Sequence, residues 1–160
     1  MDVNDQDIYQ GVVLLKAIRQ VEDIEGEVKF KIRSATSKNS FLIEELSGKE
    51  KLLGVYIKYT KKSRSPWNFS FHAEHQEEID ILEEICDEVL ITFVCHHDGV
   101  VCLTFEELKE VLDDTFEESE RVSIRRKTGG KYWVKGRDGR METSIGRSDL
   151  GKKIVDCLKK

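Results

Sequence analysis

The segment that most restricts the fold of this chain is residues 52–72, where two runs of alternating apolar residues flank a basic stretch. Because side chains along a strand point alternately to its two faces, each run predicts a strand with one apolar face. The short connection predicts a β-hairpin whose apolar side chains enter a core: Val55, Ile57, Tyr59, Trp67, Phe69 and Phe71. The segment contains no acidic residue, and its cations would offer positive charge to an anion: Lys58, Lys61, Lys62 and Arg64.

Length and composition describe a soluble globular protein. Of the 160 residues, 39% are hydrophobic and 36% are charged. We therefore expect one domain over residues 1–160, which buries about two-thirds of its unfolded surface. Residues 1–115 would form a mixed-sheet core, and residues 121–160 a basic meander followed by a helix. The apolar runs are too short to span a membrane, and the acidic first ten residues do not resemble a signal peptide. We expect a cytoplasmic protein with no membrane partner.

Helical and strand periodicities alternate along the rest of the chain. The spacing of Ile8, Val12, Leu15 and Ile18 or Arg19 predicts an amphipathic helix over residues 6–22. By the same criteria, the chain has a helix over residues 74–87 and strands over residues 28–32, 41–46 and 89–96. The last of these strands is apolar throughout, which is typical of a central strand covered on both faces.

Capping and turn signals order the C-terminal elements. Thr104 and Glu107 have the spacing of a capping box, which predicts a helix beginning at residue 105. Gly129-Gly130 predicts a tight turn, and Ser148 is expected to cap a last helix over residues 149–158. The strands of a three-stranded meander would cover residues 122–127, 132–135 and 141–145. Together these elements predict an α+β fold: a mixed β-sheet with flanking helices and a C-terminal β-meander followed by a helix.

The four cysteines show no disulfide pattern, and reduced thiols are expected in the cytosol. If Asp98-Gly99 makes a two-residue hairpin turn, Cys95 faces Cys102 across two strands. Such a pair would either pack as small apolar side chains or contribute, with histidines nearby, to a zinc site. We expect packed thiols with no metal and no cofactor, because His96 would point to the opposite face from Cys95.

Charge is distributed unevenly along the chain. Residues 121–160 contain 13 Lys and Arg against 4 Asp and Glu, a net charge of +9, whereas the whole chain carries −5. The cations surround Tyr132 and Trp133, and this combination suits nucleic acid because cations contact phosphates and aromatic rings stack on bases. Alternatively, Trp133 belongs to the core and the cations neutralise the acidic residues 106–120. The predicted nucleic-acid-binding residues are Lys58, Lys61, Lys62, Arg64, Arg125, Arg126, Lys127, Lys131, Tyr132, Lys135, Arg137 and Arg140.

Residues 8–95, with a helix, a strand hairpin bearing Tyr56-Ile57-Lys58, a second helix and a strand, resemble the core of the PD-(D/E)xK nuclease-like fold. The resemblance implies that Lys58 occupies the position of the family's lysine, and that Glu44 or Glu45 is a possible metal ligand. Members of the family cleave phosphodiesters with Mg²⁺ held by carboxylates. The chain departs from the family's pattern at Tyr56, which stands where the second carboxylate would be. Because of this departure, we expect a domain that binds without cleaving.

These observations lead to three hypotheses about function. The leading one is a non-catalytic domain that binds DNA or RNA, or a protein that handles nucleic acid. The alternatives are a metal-dependent endonuclease that uses Lys58, and a protein-interaction module that presents the acidic residues 106–120. A groove lined by Lys58, Lys61 and Arg125 would favour the first hypothesis, whereas acidic residues clustered on one exposed face would favour the last.

Overall fold

The computed structural model describes residues 2–45, 50–113 and 119–160, and across these ranges the chain has an α+β fold. The helices are α1 (Asp5–Glu25), α2 (Ala73–Ile85), α3 (Phe105–Val111) and α4 (Asp149–Lys159). The strands are β1 (Phe30–Ser34), β2 (Ser40–Glu45), β3 (Leu52–Thr60), β4 (Trp67–His72), β5 (Glu88–Cys95), β6 (Val100–Thr104), β7 (Ser119–Arg125), β8 (Trp133–Gly136) and β9 (Gly139–Arg140). The predicted fold class is therefore confirmed.

Five strands form a mixed sheet, here called sheet 1, in the order β1-β2-β3-β5-β6. Strands β3 and β5 run parallel, and the other neighbours run antiparallel. Residues 89–95 of β5 are all buried, as the uninterrupted apolar run predicts, because both faces of sheet 1 are covered.

Helices α1 and α4 cover one face of sheet 1. The predicted helix is present, but it buries a different stripe from the one that the spacing of Ile8, Val12 and Leu15 picks out. Tyr9, Val13, Ala17 and Val21 are buried, whereas Ile8 is 54% exposed. The buried stripe of α1 packs in one cluster with residues of α4. No helix within the described ranges combines the length and apolar character needed to cross a membrane.

Four antiparallel strands form a second sheet, sheet 2, in the order β4-β7-β8-β9. Its inner face packs against the face of sheet 1 that α1 and α4 do not cover, and the two sheets share one apolar cluster. Phe69 of β4 and Phe93 of β5 meet edge to face, with ring centroids 4.9 Å apart. Such a shared core is consistent with one domain, although the boundary at residues 1–160 stays a prediction.

The predicted hairpin of β3 and β4 is wrong, although both strands exist at the predicted positions. Strand β3 pairs with β2 on one side and β5 on the other, so both of its edges are occupied. Strand β4 pairs with β7 in sheet 2. The basic segment therefore carries the chain from one sheet to the other, through a cis Ser65–Pro66 bond. The predicted burial of Trp67, Phe69 and Phe71 is confirmed.

The β5–β6 hairpin forms in a different register from the predicted one. The loop spans residues 96–99, with His96 at φ 51°, and Thr92 is the partner of Cys102. Cys95 lies in the cluster between the sheets, and Cys102 lies under the helices. The prediction that these thiols face each other is wrong. Burial raises the pKa of both Cys95 and Cys102, so they are buried, protonated thiols.

The C-terminal meander and helix form with altered boundaries. Strands β7 and β8 are joined by residues 126–132, a longer connection than the predicted Gly-Gly turn. The third strand is Gly139–Arg140, two residues earlier than predicted, and Ile145 instead makes an isolated bridge with Tyr132. Ser148 precedes α4 but makes no side-chain capping bond. The capping box of Thr104 and Glu107 at α3 is confirmed.

We expect Phe69→Ala to lower the free energy of unfolding by about 3–5 kcal/mol, because the ring fills the interface between the two sheets. Ser70→Ala, at an exposed position of the same strand, is the matched control and should change stability by less than about 0.5 kcal/mol. Urea unfolding followed by circular dichroism measures both. Equal effects of the two variants would contradict the burial pattern of β4.

Candidate nucleic-acid interface

The outer face of sheet 2 carries cations around one aromatic ring. Along β7, Val122 and Ile124 point into the core, so Arg121, Ser123 and Arg125 point outward. Residues directly opposite each other in a sheet share a face. The pairs Arg125–Trp133, Ser123–Lys135 and Lys135–Arg140 therefore place these side chains on the outer face too. We call this surface the basic face: Arg121, Arg125, Trp133, Lys135 and Arg140.

Trp133 is 53% exposed, although it is one of the two tryptophans of the chain and the other, Trp67, is buried. Its neighbours Tyr132 and Val134 point inward, so the alternation of β8 forces the indole ring out. The hypothesis that Trp133 belongs to the core is therefore wrong. An exposed indole ring beside arginines can stack on a flat partner such as a nucleobase.

The cations of the basic face keep their charge available for a ligand. Within the described part of the chain, Arg121, Arg125, Lys135 and Arg140 form no ion pair and no side-chain hydrogen bond. Among the outward-facing residues of the four strands, as far as they are described, none is acidic. Their charges repel one another in the absence of a ligand, and an anion relieves that repulsion.

Two adjoining grooves run across the basic face, each of about 600 Å³. The first lies beside Trp133 and is bordered by Arg140, Met141 and Glu142. The second reaches β4 and the inter-sheet connection and is bordered by Pro66, Asn68, Arg121, Ser123 and Arg137. Arg125 and Lys135 line both grooves, so the two grooves form one continuous surface around these cations.

Two of the predicted binding residues have structural roles instead. Arg126 donates hydrogen bonds to both carboxylate oxygens of Asp98, at 2.8 and 2.6 Å, and lies over the ring of Tyr132. Tyr132 is fully buried, and its hydroxyl donates to Asp98 at 2.7 Å. These hydrogen bonds, first that of Arg126, hold the pKa of Asp98 below its usual value. This cluster ties the loop after β7 to the loop after β5.

The remaining predicted cations surround the basic face or lie apart from it. Lys127 and Lys131 are exposed on the β7–β8 connection, and Arg137 is exposed at the β8–β9 turn. Arg64 is exposed on the connection between the sheets, which meets the second groove at Pro66. Lys62 donates to the Pro66 carbonyl at 2.7 Å, and Lys61 pairs with Asp5 of α1. The two grooves of the basic face include Arg125 but neither Lys58 nor Lys61.

Lys58 lies at a second polar cluster, between β3 and the start of α2. Its Nζ is 3.2 Å from His75 Nδ1 and 5.0 Å from the centre of the Phe71 ring. Burial lowers the pKa of Lys58 from 10.5 to about 8, although the carboxylates of Glu78 and Glu74 oppose the shift. Burial, followed by the charge of Lys58, also lowers the pKa of His75. Lys58 is half-buried and its amine contacts His75, so it is less available to a phosphate than the exposed cations of the basic face.

The carboxylates that the nuclease resemblance implies do not reach Lys58. Glu44 is opposite Leu52 in the β2–β3 register, six residues along β3 from Lys58 and so about 20 Å away. Glu44 instead pairs with Arg33 at 2.9 Å. Tyr56, which stands in the place of the second carboxylate, donates its hydroxyl to Glu78 at 3.4 Å. The geometry therefore lacks the expected pair of metal ligands beside Lys58.

In the acidic segment at residues 106–120, Glu106 and Glu110 are exposed one helical turn apart on α3 and Asp113 is exposed just after it, and residues 114–118 lie outside the described ranges. Glu107 caps α3 and pairs with Lys153 at 2.7 Å, and Glu120 is buried. Carboxylate oxygens of Asp113, Glu120 and Asp138 lie within 4.8 Å of one another. An acidic cluster alone does not define a metal site, and we assign it no function.

The sequence prediction missed Arg121, Ser123 and Asn68, which border the second groove. The signal was present in β7, where Arg121, Ser123 and Arg125 alternate with two apolar residues. The strand was predicted to begin at residue 122, which left Arg121 out of the pattern. The position of Asn68 at the same groove depends on the pairing of β4 with β7, and short-range periodicity does not contain that pairing.

The chain matches no family model, no curated protein and no solved structure. The nuclease-like resemblance therefore stays a prediction, and any functional conclusion depends on the geometry of the sites.

The shifted pKa of Lys58 makes a prediction about stability. Below pH 8, Lys58 is charged in both states, and the fold bears the full cost of burying the charge. We expect Lys58→Met to raise the free energy of unfolding at pH 7 by about 1–3 kcal/mol. The gain should fall as the pH rises from 8 to 10.5, where the unfolded lysine also becomes neutral.

Urea unfolding at pH 7 and pH 10.5 measures this change, with Lys62→Met at an exposed site as the control. A gain that is the same at both pH values would show that the charge of Lys58 is not penalised by burial.

Proposed function

We propose that this chain binds nucleic acid on the basic face of sheet 2 and does not cleave it. The observation that carries the proposal is the exposed Trp133 among Arg125, Lys135 and Arg140, on a sheet face without acidic residues in its described strands. Cations neutralise phosphates and release bound counterions, and the indole ring offers a stacking surface for a base.

The arrangement favours an unpaired strand over a duplex. The basic face is the surface of a four-stranded sheet, whereas the major groove of duplex DNA accepts an α-helix or a two-stranded ribbon. The stacking surface of Trp133 is usable only by a base whose face is free, as in single-stranded DNA or RNA. The strand would cross the sheet between the two grooves, with Arg125 and Lys135 beside its backbone.

Binding without hydrolysis is supported by the surroundings of Lys58. Its amine contacts His75 and the Phe71 ring, and Glu44 lies at the far end of β3. Incubation of a single-stranded substrate with the protein and Mg²⁺ should therefore give no cleavage. Cutting that is abolished by Lys58→Ala would restore the endonuclease hypothesis.

The proposal predicts that Trp133→Ala weakens the binding of a fluorescently labelled single-stranded oligonucleotide by about 1–3 kcal/mol, the usual contribution of one stacked base. Fluorescence anisotropy at low salt measures the affinity. Because Trp67 is buried, quenching of intrinsic tryptophan fluorescence on binding should come from Trp133 and disappear in the Trp133→Phe variant.

Arg125→Ala should also lower the slope of log K against log salt concentration by about 0.7, the value for one phosphate contact on a single strand. Lys152→Ala, at an exposed position of α4, removes one charge on the opposite side of sheet 1 and is the control. Failure of the wild-type protein to bind DNA or RNA at low salt, or equal losses in both alanine variants, would overturn the proposal.

A further inference from the structure

The groove beside Trp133 contains one carboxylate, that of Glu142, among the cations Arg125, Lys135 and Arg140. Glu142 is exposed, and it forms neither an ion pair nor a hydrogen bond with any residue that the structure describes, Arg140 included. A carboxylate in this position weakens binding of the phosphate backbone, because it repels phosphates. An ionised carboxylate there can instead accept hydrogen bonds from donor groups of a ligand.

The same groove offers a stacking surface for a nucleobase. The exposed indole ring of Trp133 lines the groove, and Glu142 lines it too. A base that stacked on Trp133 in this groove would present its polar edge to the surrounding side chains, of which Glu142 is one. The volume of about 600 Å³ is ample for one base and its sugar.

We infer that Glu142 reads the base held beside Trp133 and selects guanine, an inference that rests on the proposed function. An ionised carboxylate only accepts hydrogen bonds. Guanine offers two adjacent donors on its Watson–Crick edge, N1–H and the N2 amino group, and both can donate to one carboxylate. Adenine and cytosine offer one amino group beside an acceptor nitrogen. Thymine and uracil place a carbonyl on each side of their single N3–H, and both carbonyls repel the carboxylate.

The experiment uses nine-nucleotide dT oligomers that carry a single central dG, dA, dC or dT, so that backbone charge and length are identical. We expect the dG oligomer to bind about tenfold more tightly than the all-dT oligomer, the order of one hydrogen bond to a charged group. The affinities of the dA and dC oligomers should lie between those of the dG and all-dT oligomers. Anisotropy at one fixed salt concentration gives the four affinities.

Glu142→Gln is the diagnostic variant. The glutamine amide both donates and accepts, so it can pair with the N3–H and a carbonyl of thymine. The dG-to-dT affinity ratio should fall to about one or below. Because the lost negative charge should raise all four affinities, the ratio of affinities is the readout. Asp156→Asn, at an exposed position of α4, removes the same charge elsewhere and should keep the ratio of the wild type.

The outcomes separate this inference from the proposed function. Binding of all four oligomers with equal affinity, or a ratio that Glu142→Gln leaves unchanged, would overturn the role of Glu142 and leave the basic face as a nucleic-acid site. Tight binding of free GMP, with no higher affinity for the oligomer, would overturn the hypothesis that the face binds a strand and would keep the groove as a site for a base. Absence of binding to every oligomer would overturn both proposals.

Discussion

The middle of sheet 1, at β3 and β5, is apolar on both faces, and the rest of the structure follows from the need to cover them. Strands β3 and β5 run parallel at its middle and bury side chains on each side, as in sheets that are covered twice. The chain covers one face with α1 and α4 and the other with sheet 2, assisted by α2 and α3. This division makes sheet 2 half-buried, with alternating apolar and polar residues.

The basic face exists because sheet 2 is covered only once within the described residues. Burying Val122, Ile124 and Val134 fixes the opposite direction for Arg121, Arg125, Trp133 and Lys135. The sheet holds the backbone of these residues at fixed spacing, so that the conformational entropy lost when a ligand binds is that of their side chains. Lys58 shows the contrast, because it lies on a strand of sheet 1, where burial lowers the pKa of its amine. Position relative to the two sheets therefore separates the exposed cations from the half-buried one.

Short-range periodicity in the sequence predicts the positions of individual strands, but it does not predict which strands pair with each other. Alternation located β3 and β4, and Trp67 and Phe69 lie in the core as expected. The assumption that neighbouring strands form a hairpin failed, because β3 has better partners in β2 and β5. In α1 both helix faces are apolar, so the distribution of apolar residues around the helix does not decide which face is buried.

The candidate site was predictable to the same degree. Alternation within Tyr132–Val134 already directs Trp133 away from the core once Val134 is placed inside, although the burial of Trp133 was left open. The pairing of Arg126 with Asp98 joins two loops that are distant in sequence, and local patterns contain no signal for it. Composition alone therefore identified the basic region but did not distinguish its exposed cations from this structural one.

The close contact of α1 with α4 has a consequence for how the chain acquires its structure. The backbone N–H of Gly151 donates to the Gln20 side chain at 2.9 Å, and a Cβ at Gly151 would collide with Gln20. The first helix thus finds its helical neighbour some 130 residues later in the chain. Contacts of such separation slow folding, because a long loop must close before they stabilise anything. During synthesis, the buried stripe of α1 has no α4 to pack against until residues 149–159 leave the ribosome.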